Sequence, residues 1–267
     1  MFNYQGKVID AHLHYGYDSV IAEHVIMEDM VYDDPDSVIR TLDNYGIQQC
    51  LLIPPDRILN PPRDVEYKLA NDAIARAVAK HPKRIYGAIR LNPLFGEKFV
   101  WETIRYFSQE KNIHVIKMLA RVDFYNPANL KVMAPVYEAS IKFNMTILFH
   151  SGHPSRDLPT LQAYGAKHYP EVKVVIAHMG LHDFLQETIL ACKELPNLYA
   201  DMSQAWPYDI KIFVHTVGAD RLMFGTDGPF QSPRVERLKV EECNLSDNQL
   251  EMIFHKNAER VYGFESG

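Results

Sequence analysis

Two histidines one residue apart follow a short apolar run near the start of the chain. The sequence reads Lys-Val-Ile-Asp-Ala-His-Leu-His from residue 7, so His12 and His14 end a predicted β-strand. Side chains alternate along a strand, so both imidazoles point to one face, with Asp10 just behind them. Two adjacent imidazoles can bind one transition-metal ion, but two histidines hydrogen-bonded in a core would have the same spacing. The pair alone leaves both roles open.

Other chemically capable side chains recur at the ends of apolar runs. His150 ends the run Met-Thr-Ile-Leu-Phe-His, His178 ends Val-Val-Ile-Ala-His, and Asp227 follows Leu-Met-Phe-Gly-Thr. Lys117 lies inside the run His-Val-Ile-Lys-Met-Leu. Because the chain has only 12 histidines, their repeated placement at such edges favours one shared metal site over separate packing roles.

Eight apolar runs rich in Val, Ile and Leu alternate with segments of helical period, which predicts eight β-strands each followed by an α-helix. The predicted strands lie at residues 8–14, 50–53, 85–91, 114–119, 145–150, 172–178, 198–202 and 222–225. The predicted helices lie at residues 36–45, 65–79, 98–107, 127–143, 158–168, 182–195, 207–217 and 233–241. A final helix begins at Ser246, which forms a capping-box pattern with Gln249, and it ends near Tyr262, before Gly263.

This alternation predicts a parallel sheet covered on both faces, and eight such units in 267 residues match a closed (β/α)8 TIM barrel. An open doubly wound sheet is the alternative, but no Gly-rich phosphate loop follows the first strand. We expect one domain over residues 1–267, a final helix packed outside the barrel, and a long loop over residues 15–34 across its mouth. The carboxyl ends of barrel strands form the active site in such folds, which is where the polar residues fall.

Composition and charge exclude several classes of protein. The formal net charge is −6 and the basic residues are scattered, which argues against nucleic-acid binding. The sequence has no apolar run that could span a bilayer and no signal-peptide pattern at its N-terminus. Its three cysteines have no metal-binding spacing and suit a reducing compartment. We therefore expect a cytoplasmic protein whose partner is a small-molecule substrate, with a homodimer left open.

The motifs as a set resemble the amidohydrolase superfamily, specifically its amidohydrolase-2 branch of metal-dependent hydrolases and related decarboxylases. The matching pieces are Asp-Ala-His-Leu-His ending at His14, His-Ser-Gly from His150, His-Met-Gly from His178, Phe-Gly-Thr-Asp ending at Asp227, and Asn-Ala-Glu-Arg-Val-Tyr-Gly from Asn257. They extend from the first strand to the last helix. The resemblance implies a distorted (β/α)8 barrel, in agreement with the strand count.

The resemblance also implies roles for these residues. One divalent ion, zinc first and manganese as the alternative, would be held by His12, His14, His150 and Asp227. His178 would stand beside the bound water or the substrate. Zinc lowers the pKa of bound water enough to give hydroxide at neutral pH, and Asp227 could carry the water's proton to the leaving group.

Lys117 has two interpretations. In binuclear members of the superfamily, a lysine on strand four is carbamylated and bridges two metal ions. The one strand-end carboxylate that the sequence firmly places is Asp227, so a second cation would lack anionic ligands. We expect one ion and an unmodified Lys117, whose ammonium would recruit an acidic group of the substrate.

Four further residues are candidates for supporting roles. Arg90 ends strand three and could bind a substrate carboxylate or pair with a buried acid. His153 and Arg156 lie in the loop after strand five, where either substrate binding or packing would explain them. Asp201, on strand seven, could orient a ligand histidine or satisfy backbone donors.

Three functions fit these residues. We expect a metal-dependent hydrolase of a small, carboxylate-bearing ester, lactone or amide that uses a metal-activated water, with Asp227 and His178 as its catalytic residues. A nonoxidative decarboxylase with the same metal site is the alternative. A non-catalytic metal-binding barrel is the third reading, and the presence of both catalytic candidates argues against it. The motifs do not separate hydrolysis from decarboxylation.

Overall fold

The computed structural model describes residues 2–16, 34–55 and 64–265. Within them, eight parallel β-strands neighbour one another in sequence order. The strands are β1 (Ile9–His14), β2 (Gln49–Ile53), β3 (Ile85–Arg90), β4 (Ile113–Met118), β5 (Thr146–Phe149), β6 (Val174–Ile176), β7 (Leu198–Asp201) and β8 (Leu222–Met223). The predicted (β/α)8 barrel is therefore confirmed.

Hydrogen bonds between β1 and the segment after β8 close the sheet into a barrel. The backbone N–H of Asp227 donates to the carbonyl of His12 at 2.7 Å. The backbone N–H of His14 donates to the carbonyl of Gly228 at 2.7 Å. The first and last strands thus meet at their carboxyl ends, where the polar residues of the sequence pattern lie.

Helices follow the strands along the chain. They are α1 (Pro35–Asn44), α2 (Lys68–Lys80), α3 (Glu97–Phe107), α4 (Ala120–Asp123), α5 (Leu130–Phe143), α6 (Pro159–His168), α7 (Leu185–Glu194), α8 (Pro207–Thr216), α9 (Pro233–Glu241), α10 (Asp247–Glu251) and α11 (Asn257–Tyr262). In the part of the chain that the structure describes, no helix combines the length and the apolar character that crossing a lipid bilayer requires. The loop predicted over residues 15–34 lies mostly outside the described residues.

The last helical region differs from the single helix that the sequence predicts. Its start is as predicted, because the capping box between Ser246 and Gln249 is present. Its end is also as predicted, since Gly263 follows α11 with a left-handed backbone (φ 78°). Between these points, a π-helical segment (Met252–Lys256) separates α10 from α11.

The expected position of this helix outside the barrel is wrong. Ala258, Val261 and Tyr262 of α11 belong to the buried cluster formed by alternate strand residues such as Leu51 and Val115. These strand positions share a face with Lys117, so the cluster lies inside the barrel. The apolar stripe of the helix fixes which face is buried, but it does not distinguish the outer surface of a sheet from the end of a barrel.

The Asn257 side chain ties α11 to the strand that closes the barrel. It is fully buried, and its Nδ2 donates to the carbonyl oxygens of Ala219 and Leu222, both at 2.7 Å. We expect Asn257→Ala to lower the free energy of unfolding by about 2–3 kcal/mol, because two buried carbonyls lose a donor. Urea unfolding measures the change. Asn248→Ala, an exposed position of α10, is the matched control and should change stability by less than about 0.5 kcal/mol. Equal losses in the two variants would contradict this role for Asn257.

Candidate metal centre

Three of the predicted ligands meet at the carboxyl end of the barrel. His12 and His14 come from β1, and Asp227 follows β8. The Nε2 atoms of His12 and His14 lie 3.3 Å and 3.2 Å from Asp227 Oδ1, and all three side chains are buried. One ligand atom of each lies within 4.8 Å of the others. Two imidazole nitrogens and a carboxylate oxygen are a donor set that suits Zn²⁺ or Mn²⁺, so the residues present fit the implied ion.

Asp10 joins the two segments that carry these ligands. Its Oδ1 accepts hydrogen bonds from the backbone N–H groups of His12 at 3.0 Å and Thr226 at 2.9 Å, and its Oδ2 accepts from the Thr226 hydroxyl at 2.5 Å. Glycine is required at position 225, because a Cβ there would lie 2.8 Å from the Cβ of His12. Asp10 therefore holds backbone in place, so that β1 and β8 can present their ligands side by side.

Asp201 on β7 orients His12 from the side away from the cluster. His12 Nδ1 donates to Asp201 Oδ2 at 2.9 Å, which leaves the lone pair on Nε2 facing Asp227. Burial and the ammonium of Lys117 lower the pKa of His12, so its imidazole is neutral. Burial opposes the charge of Asp201, but its interactions with His12, His178 and Ser203 outweigh burial and lower its pKa to about 2. Asp201 also accepts from the backbone N–H groups of His178 and Ser203, so both contacts considered for it are present, and its role in orienting a metal ligand stays a prediction.

A chain of hydrogen bonds runs from Asp201 to the loop after β5. The Ser203 hydroxyl donates to Asp201 Oδ1, so its oxygen must accept from His178 Nδ1, which lies 2.8 Å away. His178 Nε2 then carries the lone pair and accepts from His150 Nδ1 at 3.1 Å. His150 Nε2 faces His153 Nδ1 at 3.0 Å. The proton positions of these imidazoles thus follow from one buried carboxylate.

His150, predicted as the fourth ligand, lies in this chain. Among the described residues, His150 belongs to no group of three or more metal-type side chains whose ligand atoms lie within 4.8 Å of one another. Burial and the neighbouring charges, His178 first, lower the pKa of His150 well below its usual value. Burial also lowers the pKa of His178 to about 4. Both imidazoles are therefore neutral near pH 7, and ligation by His150 stays a prediction.

Lys117 extends from β4 into the cluster. Its Nζ lies 3.0 Å from His12 Nε2, and the residue is 1% exposed. The structure therefore places a buried amine beside the nitrogen that would bind a metal ion. The unmodified ammonium and the bridging carbamate both require a lysine in this place, so the position of Lys117 does not distinguish them. The number of bound metal ions does.

The other predicted substrate-binding residues lie around the same end of the barrel. Arg90 Nη2 lies 3.5 Å from Asp123 Oδ2, and the guanidinium lies 4.4 Å from the centre of the Tyr67 ring. Arg90 thus has the buried acid partner that the sequence analysis named as the alternative. His153 stacks on His150, with ring centres 4.9 Å apart. Arg156 lies 6.0 Å from the centre of the Phe124 ring. Substrate contacts by Arg90, His153 and Arg156 stay predictions.

Two residues of the site were missed by sequence reasoning. Ser203 links Asp201 to His178, and Gln204 Nε2 donates to Asp227 Oδ2. Both follow the end of β7, in the order Asp-Met-Ser-Gln from Asp201. Polar residues after a strand end were the signal used elsewhere in the chain, and this signal was available here too.

The barrel and its buried His/His/Asp cluster define the class of protein: a TIM barrel with a candidate metal centre at the carboxyl ends of its strands. A model of the amidohydrolase-2 family, described as amidohydrolase, matches residues 63–264. The chain therefore belongs to this family, and the match includes His150, His178 and Asp227. No curated protein matches the sequence.

Solved structures share the fold over nearly the whole chain at low sequence identity. An uncharacterised TIM-barrel protein of Bordetella bronchiseptica is 16% identical, with a TM-score of 0.80 over 97% of this chain and 99% of that chain. The 5-carboxyvanillate decarboxylase of Novosphingobium aromaticivorans, complexed with manganese and 4-hydroxy-3-methoxy-5-nitrobenzoic acid, is 15% identical, with a TM-score of 0.79 over 97% and 96%. The 2,6-dihydroxybenzoate decarboxylase from Rhizobium is 16% identical, with a TM-score of 0.71 over 98% and 100%. At these identities the likeness shows the fold alone.

The hydrogen bond between Asp201 and His12 predicts a specific loss of metal affinity. We expect Asp201→Asn to weaken Mn²⁺ or Zn²⁺ binding by about 10- to 100-fold, since an amide no longer selects the His12 tautomer with a free Nε2. Isothermal titration calorimetry on metal-stripped protein measures the affinity. Asp209→Asn is the matched control, because Asp209 is also buried and accepts from His182 Nδ1 at 3.0 Å. The prediction fails if both variants lose affinity equally, or if neither does.

The surroundings of Lys117 predict one metal ion per chain. Two further buried carboxylates contact His12, and both are already engaged: Asp10 by backbone N–H groups and the Thr226 hydroxyl, and Asp201 by His12 and Ser203. A second cation would therefore lack an anionic ligand. We expect about one ion per chain after purification with or without bicarbonate, measured by elemental analysis. Two ions appearing only with bicarbonate, and lost in Lys117→Ala, would instead establish the carbamate-bridged site.

Proposed function

We propose that this chain is a metal-dependent, nonoxidative decarboxylase of a small hydroxylated aromatic or enol carboxylate. The sequence analysis placed hydrolysis of an ester, lactone or amide first and decarboxylation second. Membership of the amidohydrolase-2 family fits both reactions. The relatives named above as decarboxylases, together with the arrangement of charges in the site, support the reversed order.

The observation that carries the proposal is the engagement of Asp227. A hydrolase of this design needs a base that is free to take a proton from water. Asp227 Oδ1 faces the Nε2 atoms of His12 and His14, and Gln204 occupies its Oδ2. Gln204 thus engages Oδ2, and Oδ1 faces the two nitrogens that would bind the ion, so Asp227 suits a metal ligand better than a proton carrier.

The second support is positive charge inside the cluster. In nonoxidative decarboxylation, the bond between the substrate carbon and its carboxylate breaks, and CO₂ leaves without the electron pair. That pair stays on the substrate carbon, which then binds a proton. An ammonium at Lys117 Nζ, 3.0 Å from His12 Nε2, attracts an anionic substrate and stabilises negative charge that develops beside it. Its burial strengthens the interaction, because water does not screen it.

Each residue has a defined task in this mechanism. A divalent ion held by His12, His14 and Asp227 would supply the charge that binds the substrate oxygens and stabilises the electron pair left on carbon. Lys117 holds a substrate oxygen through Nζ. The lone pair of His178 Nε2 accepts from His150 Nδ1 before the substrate binds. His178 Nε2 then exchanges this bond for one from the substrate hydroxyl, takes the hydroxyl proton and transfers it to the carbon that loses CO₂. The hydroxy acid anion thus yields CO₂ and the oxyanion of the decarboxylated product, and atoms and charge balance.

An assay that separates CO₂ release from acid release tests the proposal. We expect Mn²⁺- or Zn²⁺-loaded protein to release CO₂ from a hydroxybenzoate panel that includes 2,6-dihydroxybenzoate and 5-carboxyvanillate. We expect no acid release from a panel of lactones. Asp227→Asn should reduce turnover by at least about 100-fold, because the change removes a charged ligand of the ion. Asp220→Asn, at an exposed position, is the control and should retain full activity.

The other outcomes are equally definite. Acid release from a lactone without CO₂ release from the aromatic acids would make the chain a hydrolase and reject the proposal. Stoichiometric metal binding with neither activity across both panels would favour the non-catalytic barrel.

A further inference from the structure

Gln204 contacts the one ligand candidate that comes from the end of β8. Its Nε2 donates to Asp227 Oδ2, while Asp227 Oδ1 faces the Nε2 atoms of His12 and His14. The two oxygens of this carboxylate therefore have different partners. The opposite orientation of the Gln204 amide would place its oxygen against a carboxylate oxygen, so the donor orientation is the one that electrostatics selects.

The backbone of Gln204 is held in an unusual conformation by a second buried group. Its φ is 63°, in the left-handed region that residues with a Cβ rarely adopt. Its backbone N–H donates to Glu236 Oε2 at 3.2 Å, and Lys239 Nζ lies 2.7 Å from the same oxygen. Glu236 is 1% exposed and lies on α9, the helix that follows β8. The loop after β7 is thus fixed to the element that follows Asp227.

We propose that Gln204 is a positioning residue for Asp227. Its amide N–H occupies Oδ2 and leaves Oδ1 as the oxygen available to the ion, and Glu236 holds Gln204 in the conformation that makes this possible. A carboxylate restrained through one oxygen loses rotational freedom before the ion arrives, so less entropy is lost when the ion binds. The inference rests on the metal centre of the proposed function. It adds that Asp227 binds the ion through one oxygen, Oδ1.

Two substitutions at position 204 separate positioning from packing. We expect Gln204→Ala to weaken Mn²⁺ binding by about 10- to 100-fold, measured by calorimetry on metal-stripped protein. Gln204→Met keeps the approximate size and the neutral charge of the side chain but has no N–H to donate. It should bind Mn²⁺ more weakly than wild type, because Oδ2 of Asp227 loses its restraint. A side chain that only fills space would leave Gln204→Met with wild-type affinity, and that result would overturn the inference.

The matched control is a buried glutamine at the other end of the barrel. Gln49 is the first residue of β2, is 8% exposed, and donates through Nε2 to the carbonyl of Lys83 at 3.2 Å. Gln49→Ala and Gln49→Met should leave Mn²⁺ affinity within about twofold of wild type. Affinity losses at Gln49 that match those at Gln204 would overturn the inference.

Glu236 supplies a conservative rescue. Glu236→Ala removes the acceptor of the Gln204 backbone N–H, so Mn²⁺ affinity should fall as it does in Gln204→Ala. Glu236→Gln retains an oxygen at that place and should recover most of the affinity. The electron paramagnetic resonance spectrum of bound Mn²⁺ gives an independent readout, since a change in the coordination of Asp227 alters the symmetry around the ion. Unchanged affinity and an unchanged spectrum in Glu236→Ala would contradict the inference.

His14→Ala distinguishes failure of this inference from failure of the metal centre. Loss of Mn²⁺ binding in His14→Ala, with wild-type binding in Gln204→Met, keeps the metal centre and rejects the role of Gln204. Wild-type Mn²⁺ binding in His14→Ala rejects the metal centre, and the inference falls with it.

Discussion

The candidate site depends on one buried carboxylate. Asp201 is inaccessible to solvent, and a charge in that position is tolerated only when its oxygens are fully hydrogen-bonded. Its donors are His12 Nδ1, the Ser203 hydroxyl, and the backbone N–H groups of Ser203 and His178. A neutral imidazole has one proton, so these bonds decide which nitrogen of His12 keeps its lone pair. Through Ser203, the same carboxylate also determines which nitrogen of His178 keeps its lone pair. Through His178, it determines the same for His150. Asp201 thus orients the candidate ligand His12 without itself having to bind the ion.

Closure of the barrel between β8 and β1 is the second requirement. Asp10 accepts hydrogen bonds from both segments, and Gly225 lets them approach more closely than a Cβ would allow. Three residues that present polar atoms to the site, Asp227, His178 and Gln204, have φ between 56° and 63°, a conformation that costs about 1–3 kcal/mol for each residue with a Cβ. The stability of the surrounding strands and buried helices offsets this cost.

The balance of charge links the site to the proposed reaction. Asp201 and Asp227 carry negative charge inside the barrel, and the imidazoles of His12, His150 and His178 are neutral. In the proposed reaction, the divalent ion and the ammonium of Lys117 would supply the positive charge that attracts an anionic substrate and stabilises the electron pair left by a departing CO₂. Hydrolysis and decarboxylation can use the same kind of site, because positive charge stabilises both the oxyanion formed in the first reaction and the electron pair left on carbon in the second.

Local patterns in the sequence determined the strands, the placement of His12 and His14 on one face, and the polar residues at the strand ends, because these properties follow from the alternation of neighbouring side chains. The motifs were also sufficient to indicate the family. Only the tertiary structure decided the partners, since hydrogen bonds such as that between His12 and Asp201 join residues 189 positions apart. It also decided that α11 packs against the inward-facing side chains at the end of the barrel, because an apolar stripe identifies a buried face but not the surface that buries it. The hydrogen bond from Gln204 to Asp227 was likewise decided by the tertiary structure, since it exists only once β7 and β8 lie side by side in the closed barrel.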